Sequence, residues 1–201
     1  VDYDQRITPN GNDAEQQAVR QARAFHLQTA PAIKPLVIET RFEAYIPWST
    51  QNLILSGRPD IIAREPSRLW DIKGGSRLGW HAPQIGAYSV LVRSNQIAEI
   101  DDAKIAWVPR VTMKKPQPDP TEEHIDIAAA ESTATNILRA IDAAIDVFRN
   151  GDAQRDLRPG DPSAFMANPS SYLCSAKFCR AHSGGRNGWC LEYRVVPTGQ
   201  K

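Results

Sequence analysis

Residues 57–73 hold two carboxylates and a lysine at a spacing that could serve phosphoryl chemistry. Gly57-Arg58-Pro59-Asp60-Ile61-Ile62 is followed, after a turn, by Leu69-Trp70-Asp71-Ile72-Lys73. Asp71 and Lys73 are two apart in an apolar run, so on a strand both side chains leave the same face. An ion pair inside such a run is costly unless something uses it. A short turn over 63–68 would return the chain antiparallel, so that Asp60 and Asp71 converge with Lys73. Hard oxygen donors with few neighbours suit Mg²⁺ or Mn²⁺, which keep waters and bind phosphate oxygens. A metal held this way lowers the pKa of a bound water and stabilises charge on a scissile phosphate. A lysine beside it orients or deprotonates that water, or balances the developing negative charge. Downstream, Gln84 and Tyr88 are four apart and share one face of a predicted helix.

The elements that must position these groups follow from periodicity. Residues 1–11 are polar, end in the turn signal Pro9-Asn10-Gly11, and read as an arm. Asn12 with Glu15 resembles a capping box, and Ala14, Ala18, Ala22 and Phe25 recur at helical spacing, predicting a helix that stops before Pro31. From 36 to 46 the pattern has period two. Ile38, Phe42, Ala44 and Ile46 fall on one face and Glu39, Arg41, Glu43 and Tyr45 on the other, which predicts one half-buried strand. Residues 53–63 predict a second strand, interrupted by Gly57 and Pro59, and 69–73 a third, closed by Gly74-Gly75. Pro83 suits the first turn of a helix to about 92. Residues 104–108 form a compact apolar strand, followed by a loop with Pro116, Pro118 and Pro120. The longest helix spans 127–148, with Ile137, Leu138, Ile141, Ile145 and Phe148 in one stripe and Asn150-Gly151 as its stop. This order predicts an α/β fold, a mixed central sheet flanked by helices. Residues 1–150 read as the core. Residues 151–201, rich in Gly, Pro, Ser and Arg, read as a tail packed on it or continuous with it.

In this combination and order the motifs resemble the PD-(D/E)xK nuclease superfamily, specifically its RecB-like branch. The matching residues are Glu39 in V-I-E-T, G-R-P-D-I-I at 57–62, D-I-K at 71–73 and Q-I-G-A-Y at 84–88, within roughly residues 36–110. The resemblance implies a restriction-endonuclease-like core of about four strands. It implies Asp60 and Asp71 as metal ligands, with the backbone carbonyl of Ile72 as a third, and Lys73 as the catalytic lysine. Gln84 and Tyr88 would contact DNA or support the lysine. Glu39 would be an accessory acid, supporting a ligand or coordinating a second metal, and Glu43 on the same predicted strand face is its rival. RecB-like members carry a metal-ligating histidine on an upstream helix. The only upstream histidine here is His26, which equally fits the rim of an apolar face. The chain opens on Val1 rather than Met, so upstream residues, such a histidine helix among them, are expected to be missing. The implied activity is that of a Mg²⁺- or Mn²⁺-dependent deoxyribonuclease, an exonuclease acting on single- or double-stranded DNA ends in recombination or repair. Its expected setting is the cytoplasm of a bacterial or phage-infected cell. A non-catalytic nucleic-acid-binding module on the same fold and a sequence-specific endonuclease are the alternatives.

Cys174, Cys179 and Cys190 enclose His182. Some RecB-like nucleases end in three cysteines that join an upstream fourth around an iron–sulfur cluster. Here the usual C-x2-C pair is lacking and no upstream cysteine exists. Zinc held by the three cysteines and His182 meets the ligand count but not common spacing, and free thiols are the third reading. Lys177, Arg180, Arg186 and Arg194 could bring this tail to phosphate. Trp80 and His81 precede the Gln84 helix and suit a DNA-facing rim where Trp80 stacks on bases. Trp70 alternates away from Asp71 and reads as core. Hydrophobic residues make up 41% of the 201, enough for a core and too many for wholesale disorder. With 24 Lys and Arg against 23 Asp and Glu, the formal charge of +1 excludes a basic field over the whole molecule, so DNA must meet a local patch. An odd cysteine count argues against a secreted disulfide framework. No run reaches the roughly 18 apolar residues of a membrane helix, and no P-loop pattern supports ATPase activity. A protein partner or an oligomer stays open.

Overall fold

The computed structural model describes residues 10–76 and 78–160. In chain order the elements are α1 (Gly11–Gln28), a 3-10 turn (Ala30–Ala32), β1 (Pro35–Ile38), β2 (Phe42–Tyr45), β3 (Ile54–Gly57), β4 (Ile61–Ala63) and β5 (Arg68–Gly75). They continue with α2 (Ala82–Ser94), β6 (Asp102–Pro109), β7 (Thr121–Ile125) and α3 (Ile127–Asn150). Two compact units result. Residues 10–46 and 54–137 carry all of these strands, while 47–53 and 138–160 belong to the second. The expected boundary near 150 therefore falls inside the second unit. There Asp142 accepts hydrogen bonds from Ser49 Oγ, from Thr50 N and Oγ1 at 3.3 and 3.0 Å, and from Gln51 N at 3.2 Å, tying the 47–53 turn to the helix.

Five strands form a mixed sheet in the order β1-β4-β5-β6-β7, and β2 pairs with β3 in a separate ribbon. All neighbours are antiparallel except β5 and β6. A parallel pair needs a crossover long enough to return the chain, and α2 supplies it. The mixed α/β sheet with flanking helices is the architecture expected from the residues. The sheet is buried on both faces because its central strands are apolar on both. On one face Ile62, Leu69 and Ala103 pack with Ile85, Leu91 and Val92 of α2 and Ala130 of α3. On the other, Ile61, Ala63, Trp70 and Ala106 pack against Phe25 of α1. Trp70 is 4% exposed, a core residue as its alternation implies.

Three expectations need correction. Residues 36–46 do not make one strand: β1 and β2 lie in different sheets. Glu39, between them, has φ 43°, a left-handed conformation that breaks an extended run. Phe42 and Ile46 are buried as the pattern implies, but Ile38, before the break, is 59% exposed. Residues 53–63 likewise divide into β3 and β4, since Pro59 has no N–H to continue a ladder. The first helix is capped by Asn10 rather than Asn12: its Oδ1 accepts from Asn12 N at 3.1 Å. The proline loop after β6 also leads into β7, an edge strand with a largely exposed burial pattern, whose T-E-E-H-I composition carries little apolar signal.

Helix α2 is locked where Gly86 meets α3. A Cβ on Gly86 would stand 2.1 Å from the Ala130 carbonyl oxygen, and backbone cannot yield as a side-chain tip can. Gly86→Ala should therefore destabilise the fold by about 3 kcal/mol, the upper end of the range for overpacking. Thermal or denaturant unfolding reads this out, and an unchanged midpoint would show that the two helices do not meet this closely.

Candidate active site

Strand register sets Asp60 against Asp71. β4 and β5 pair as Ile61↔Trp70 and Ile62↔Leu69, so the next pair outward along this antiparallel ladder is Asp60 and Asp71. Ile62 and Leu69 belong to the core beneath α2, and each aspartate lies two residues from one of them, on that same face. Pro59 ends the pairing at this point, and the Asp60 side chain takes over: its Oδ2 accepts from Ile72 N–H at 2.6 Å. On a strand the N–H and C=O of one residue leave the same edge. The Ile72 carbonyl therefore faces the Asp60 side as well.

The Asp71 side chain is only 1% exposed, closed to water although it lies at a shallow depth. Lys73 Nζ stands 2.7 Å from its Oδ2 as an ion pair, and no aligned hydrogen bond satisfies this buried oxygen. Burial is the main cause that pushes the Asp71 pKa up. The Asp60 charge adds to it, and Lys73, then His81 more weakly, oppose it. Gln84 sits with its Nε2 at 3.5 Å from Asp71 Oδ1 and donates to Tyr88 Oη at 2.8 Å. The resemblance had Gln84 contacting DNA or supporting the lysine; in the structure its amide faces Asp71. The Tyr88 ring in turn rests on Gly57, where a Cβ would come within 2.8 Å of Cε1. That contact explains why the first position of G-R-P-D admits no side chain without moving the tyrosine.

His81 stands at the N-terminal boundary of α2 without a side-chain capping hydrogen bond. Burial and then the Lys73 charge hold its pKa below the ordinary histidine value, while Asp71 and Glu123 pull the other way. Glu123 was not among the residues singled out. It lies on β7 in register with Ile105, which is in register with Asp71, so all three share one sheet face. Only the weak alternation of β7 could have pointed to it.

Other expected residues stand apart from this cluster. Glu39 donates its backbone N–H to the Asp60 carbonyl at 2.9 Å, but its carboxylate is 61% exposed and lies 3.8 Å from Arg58. Its rival Glu43 sits in the β2–β3 ribbon, hydrogen-bonded to Arg41. His26 is exposed in the last turn of α1, and α1 packs on the sheet face opposite Asp71. The structure does not bring it to the aspartates. Trp80 is 73% exposed immediately before α2. Cys174, Cys179, Cys190 and His182, with the basic residues around them, lie outside the described residues.

Among the described residues no three His, Cys, Asp or Glu side chains gather as a ready metal cage. The donors on hand are two carboxylates and one carbonyl, with a buried Asp71 oxygen that no aligned hydrogen bond satisfies. This fits a hard divalent cation that retains several waters, and it does not fit a cation needing a closed protein shell.

No protein-family model matches the chain, and no curated protein does. Among solved structures it is similar to the protein SSO0001, at 17% identity over 51% of this chain and 49% of that one, with a TM-score of 0.35. It is also similar to a protein from Eubacterium rectale provisionally named an exonuclease, at 15% identity over 79% of this chain and 64% of that one, with a TM-score of 0.48. The chain thus spans about half the length of the first and less than two thirds of the second. Among the described residues no helix is long and apolar enough to cross a membrane.

A raised carboxylate pKa has a definite consequence for stability. Ionised Asp71 is less favourable in the fold than in the unfolded chain, so its destabilising effect is absent below the ordinary value near ~3.9 and complete above the raised folded value. Asp71→Asn should therefore leave the metal-free protein at least as stable as the wild type at neutral pH. The gain should shrink as pH falls through the carboxylate range. Thermal melts of both proteins from pH 7 to pH 4 check this, and a mutant less stable at pH 7 would contradict it.

Proposed function

We propose that the chain is a Mg²⁺- or Mn²⁺-dependent DNA nuclease that degrades DNA from its ends, in the manner of the RecB-like branch. The observation that carries this reading is the meeting of Asp60, Asp71 and Lys73 on one face at the frayed end of the β4–β5 ladder. Structural ion pairs seldom put two carboxylates opposite each other with one buried, whereas functional sites are where such costs are found.

Asp60 and Asp71, joined by the Ile72 carbonyl, would hold the cation. When bound there, the cation supplies a water of lowered pKa and positive charge against the phosphate oxygens. The chain's own residues do the rest. Ile72 N–H keeps the Asp60 carboxylate from rotating, and the Gln84 amide steadies Asp71 from the helix side. Lys73 donates to the attacking water or to the phosphate oxygens on which negative charge grows. The bond from the water oxygen to phosphorus forms as the bond to the departing sugar oxygen breaks in line with it. The attacking water gives its proton to solvent, and the departing sugar oxygen takes one from solvent, so that atoms and charge balance. Trp80, beside α2, would stack on an unpaired base near the end being cut. A place in recombination or repair follows from end-directed degradation and is part of the proposal.

The test is digestion of linear and closed-circular DNA by the full chain with Mg²⁺ or Mn²⁺. Linear DNA should be lost progressively and closed circles spared. Lys73→Ala should slow the loss by about 100-fold or more, as removal of one charge-stabilising donor does, while DNA binding persists. Wild-type protein that binds DNA but cuts none with either metal would make this a non-catalytic binding module. Discrete fragments from closed circles would make it an endonuclease.

A further inference from the structure

The β2–β3 ribbon carries a feature that the cluster at Asp71 does not use. Its register runs Tyr45↔Ile54, Ala44↔Leu55, Glu43↔Ser56 and Phe42↔Gly57. Continued by one pair, it sets Arg41 directly across from Arg58. Like charges directly opposite on neighbouring strands are destabilising, so a sequence gains nothing structural by placing two guanidinium groups there. Both side chains are largely exposed, at 69% and 64%. With Ser56 and Gly57 they line an open groove of about 330 Å³.

The acids nearby satisfy these arginines only in part. Arg41 directs Nε and Nη2, at 3.1 and 2.8 Å, onto a single oxygen of Glu43, and its Nη2 reaches Ser56 Oγ at 3.5 Å. Arg58 makes no hydrogen bond among the described residues, and its contact with Glu39 at 3.8 Å is ionic only. Two planar donor groups on one ribbon face, with a serine hydroxyl between them and N–H groups to spare, match a tetrahedral oxyanion, which guanidinium binds with paired hydrogen bonds.

We infer that Arg41, Ser56 and Arg58 form a phosphate-binding subsite for the sugar–phosphate backbone of the DNA strand being degraded. The assignment of the phosphate to DNA rests on the nuclease reading; the anion subsite itself does not. Arg58 and Asp60 are two residues apart, a span of at most ~7 Å. A phosphate held at the ribbon would therefore lie near the bond placed at Asp60 and Asp71 along the same strand, and would help to position it there. Glu39 and Glu43 act as resident counter-ions that DNA displaces.

The experiment measures binding of a fluorescent 20-nucleotide single-stranded DNA to the full chain in EDTA, across a salt series, for wild type, Arg41→Ala, Arg58→Ala and Glu43→Gln. Inorganic phosphate serves as a separate probe. Each arginine variant should bind about 5- to 10-fold more weakly, with the slope of log affinity against log salt falling by ~0.7 per lost phosphate contact. Glu43→Gln should bind more tightly, an effect in the opposite direction that a damaged fold would not give. These exposed substitutions should leave the melting temperature unchanged. Arginine variants that keep wild-type affinity and slope would overturn the subsite, even where the wild type degrades DNA normally. Arginine-dependent binding of inorganic phosphate with no effect on DNA would overturn the assignment to a DNA backbone. If the arginine effects hold while the wild type cuts nothing, the nuclease reading fails and the subsite stands.

Discussion

The geometry of the candidate site depends on where β4 stops pairing with β5. Had the ladder continued through residue 60, that aspartate would project from a closed strand pair. Pro59 ends it, and the Asp60 carboxylate accepts the Ile72 N–H at 2.6 Å in place of a backbone partner. One carboxylate is thereby tied to the backbone of the strand that carries the other. A slip of β4 by one residue would send Asp60 to the face opposite Asp71, so the apolar pairs behind them, Ile62 with Leu69 and Ile61 with Trp70, hold the site in register. Two carboxylates brought together here repel one another. Lys73 offsets part of this, and the direction of the Asp71 pKa shift shows that burial outweighs the compensation.

The residues around this pair form a continuous support that runs through α2. Gly57 lets the Tyr88 ring approach the ribbon, Tyr88 Oη accepts from Gln84, and the Gln84 amide faces Asp71. Midway between Gln84 and Tyr88 in sequence, and so on another side of the helix, Gly86 brings α2 against the α3 backbone. Ser89 and Arg93 further along α2 both bond Glu131 of α3, Ser89 at 2.6 Å and Arg93 through two nitrogens at 2.9 and 2.8 Å. The helix that faces the acids is thus fixed at several points, as a preorganised site requires. The two glycines of G-R-P-D and Q-I-G-A-Y share one physical role, admitting a neighbour where a Cβ would not fit.

The central site was legible in the sequence because it depends on local rules. Two-residue spacing put Asp71 and Lys73 on one face, four-residue spacing did the same for Gln84 and Tyr88, and the turn before β5 implied an antiparallel return. What escaped depends on long-range arrangement. The alternation of 36–46 is real on either side of Glu39, but a single left-handed residue divides it between two sheets, which no period count detects. The same break moves Glu39 and Glu43 apart, so their rivalry as neighbours on one strand face dissolves. His26 sits at helical spacing like any rim residue, and only packing reveals that α1 covers the other side of the sheet. Glu123 needed the knowledge that β7 pairs with β6, and a mostly polar edge strand hardly announces itself. The arginine pair of the β2–β3 ribbon was hidden for the same reason, since Arg41 and Arg58 meet only through the register.

The proposed nuclease requires Asp60 and Asp71 to form a cradle for one divalent cation. Titration of Mn²⁺ into the full chain, followed by the loss of the free-ion electron paramagnetic resonance signal, tests it without reference to catalysis. One bound Mn²⁺ is expected, lost in both Asp60→Asn and Asp71→Asn, with the wild type alone gaining melting temperature as the ion is added. Mn²⁺ binding that survives both substitutions, or no binding by the wild type at millimolar concentration, would contradict it.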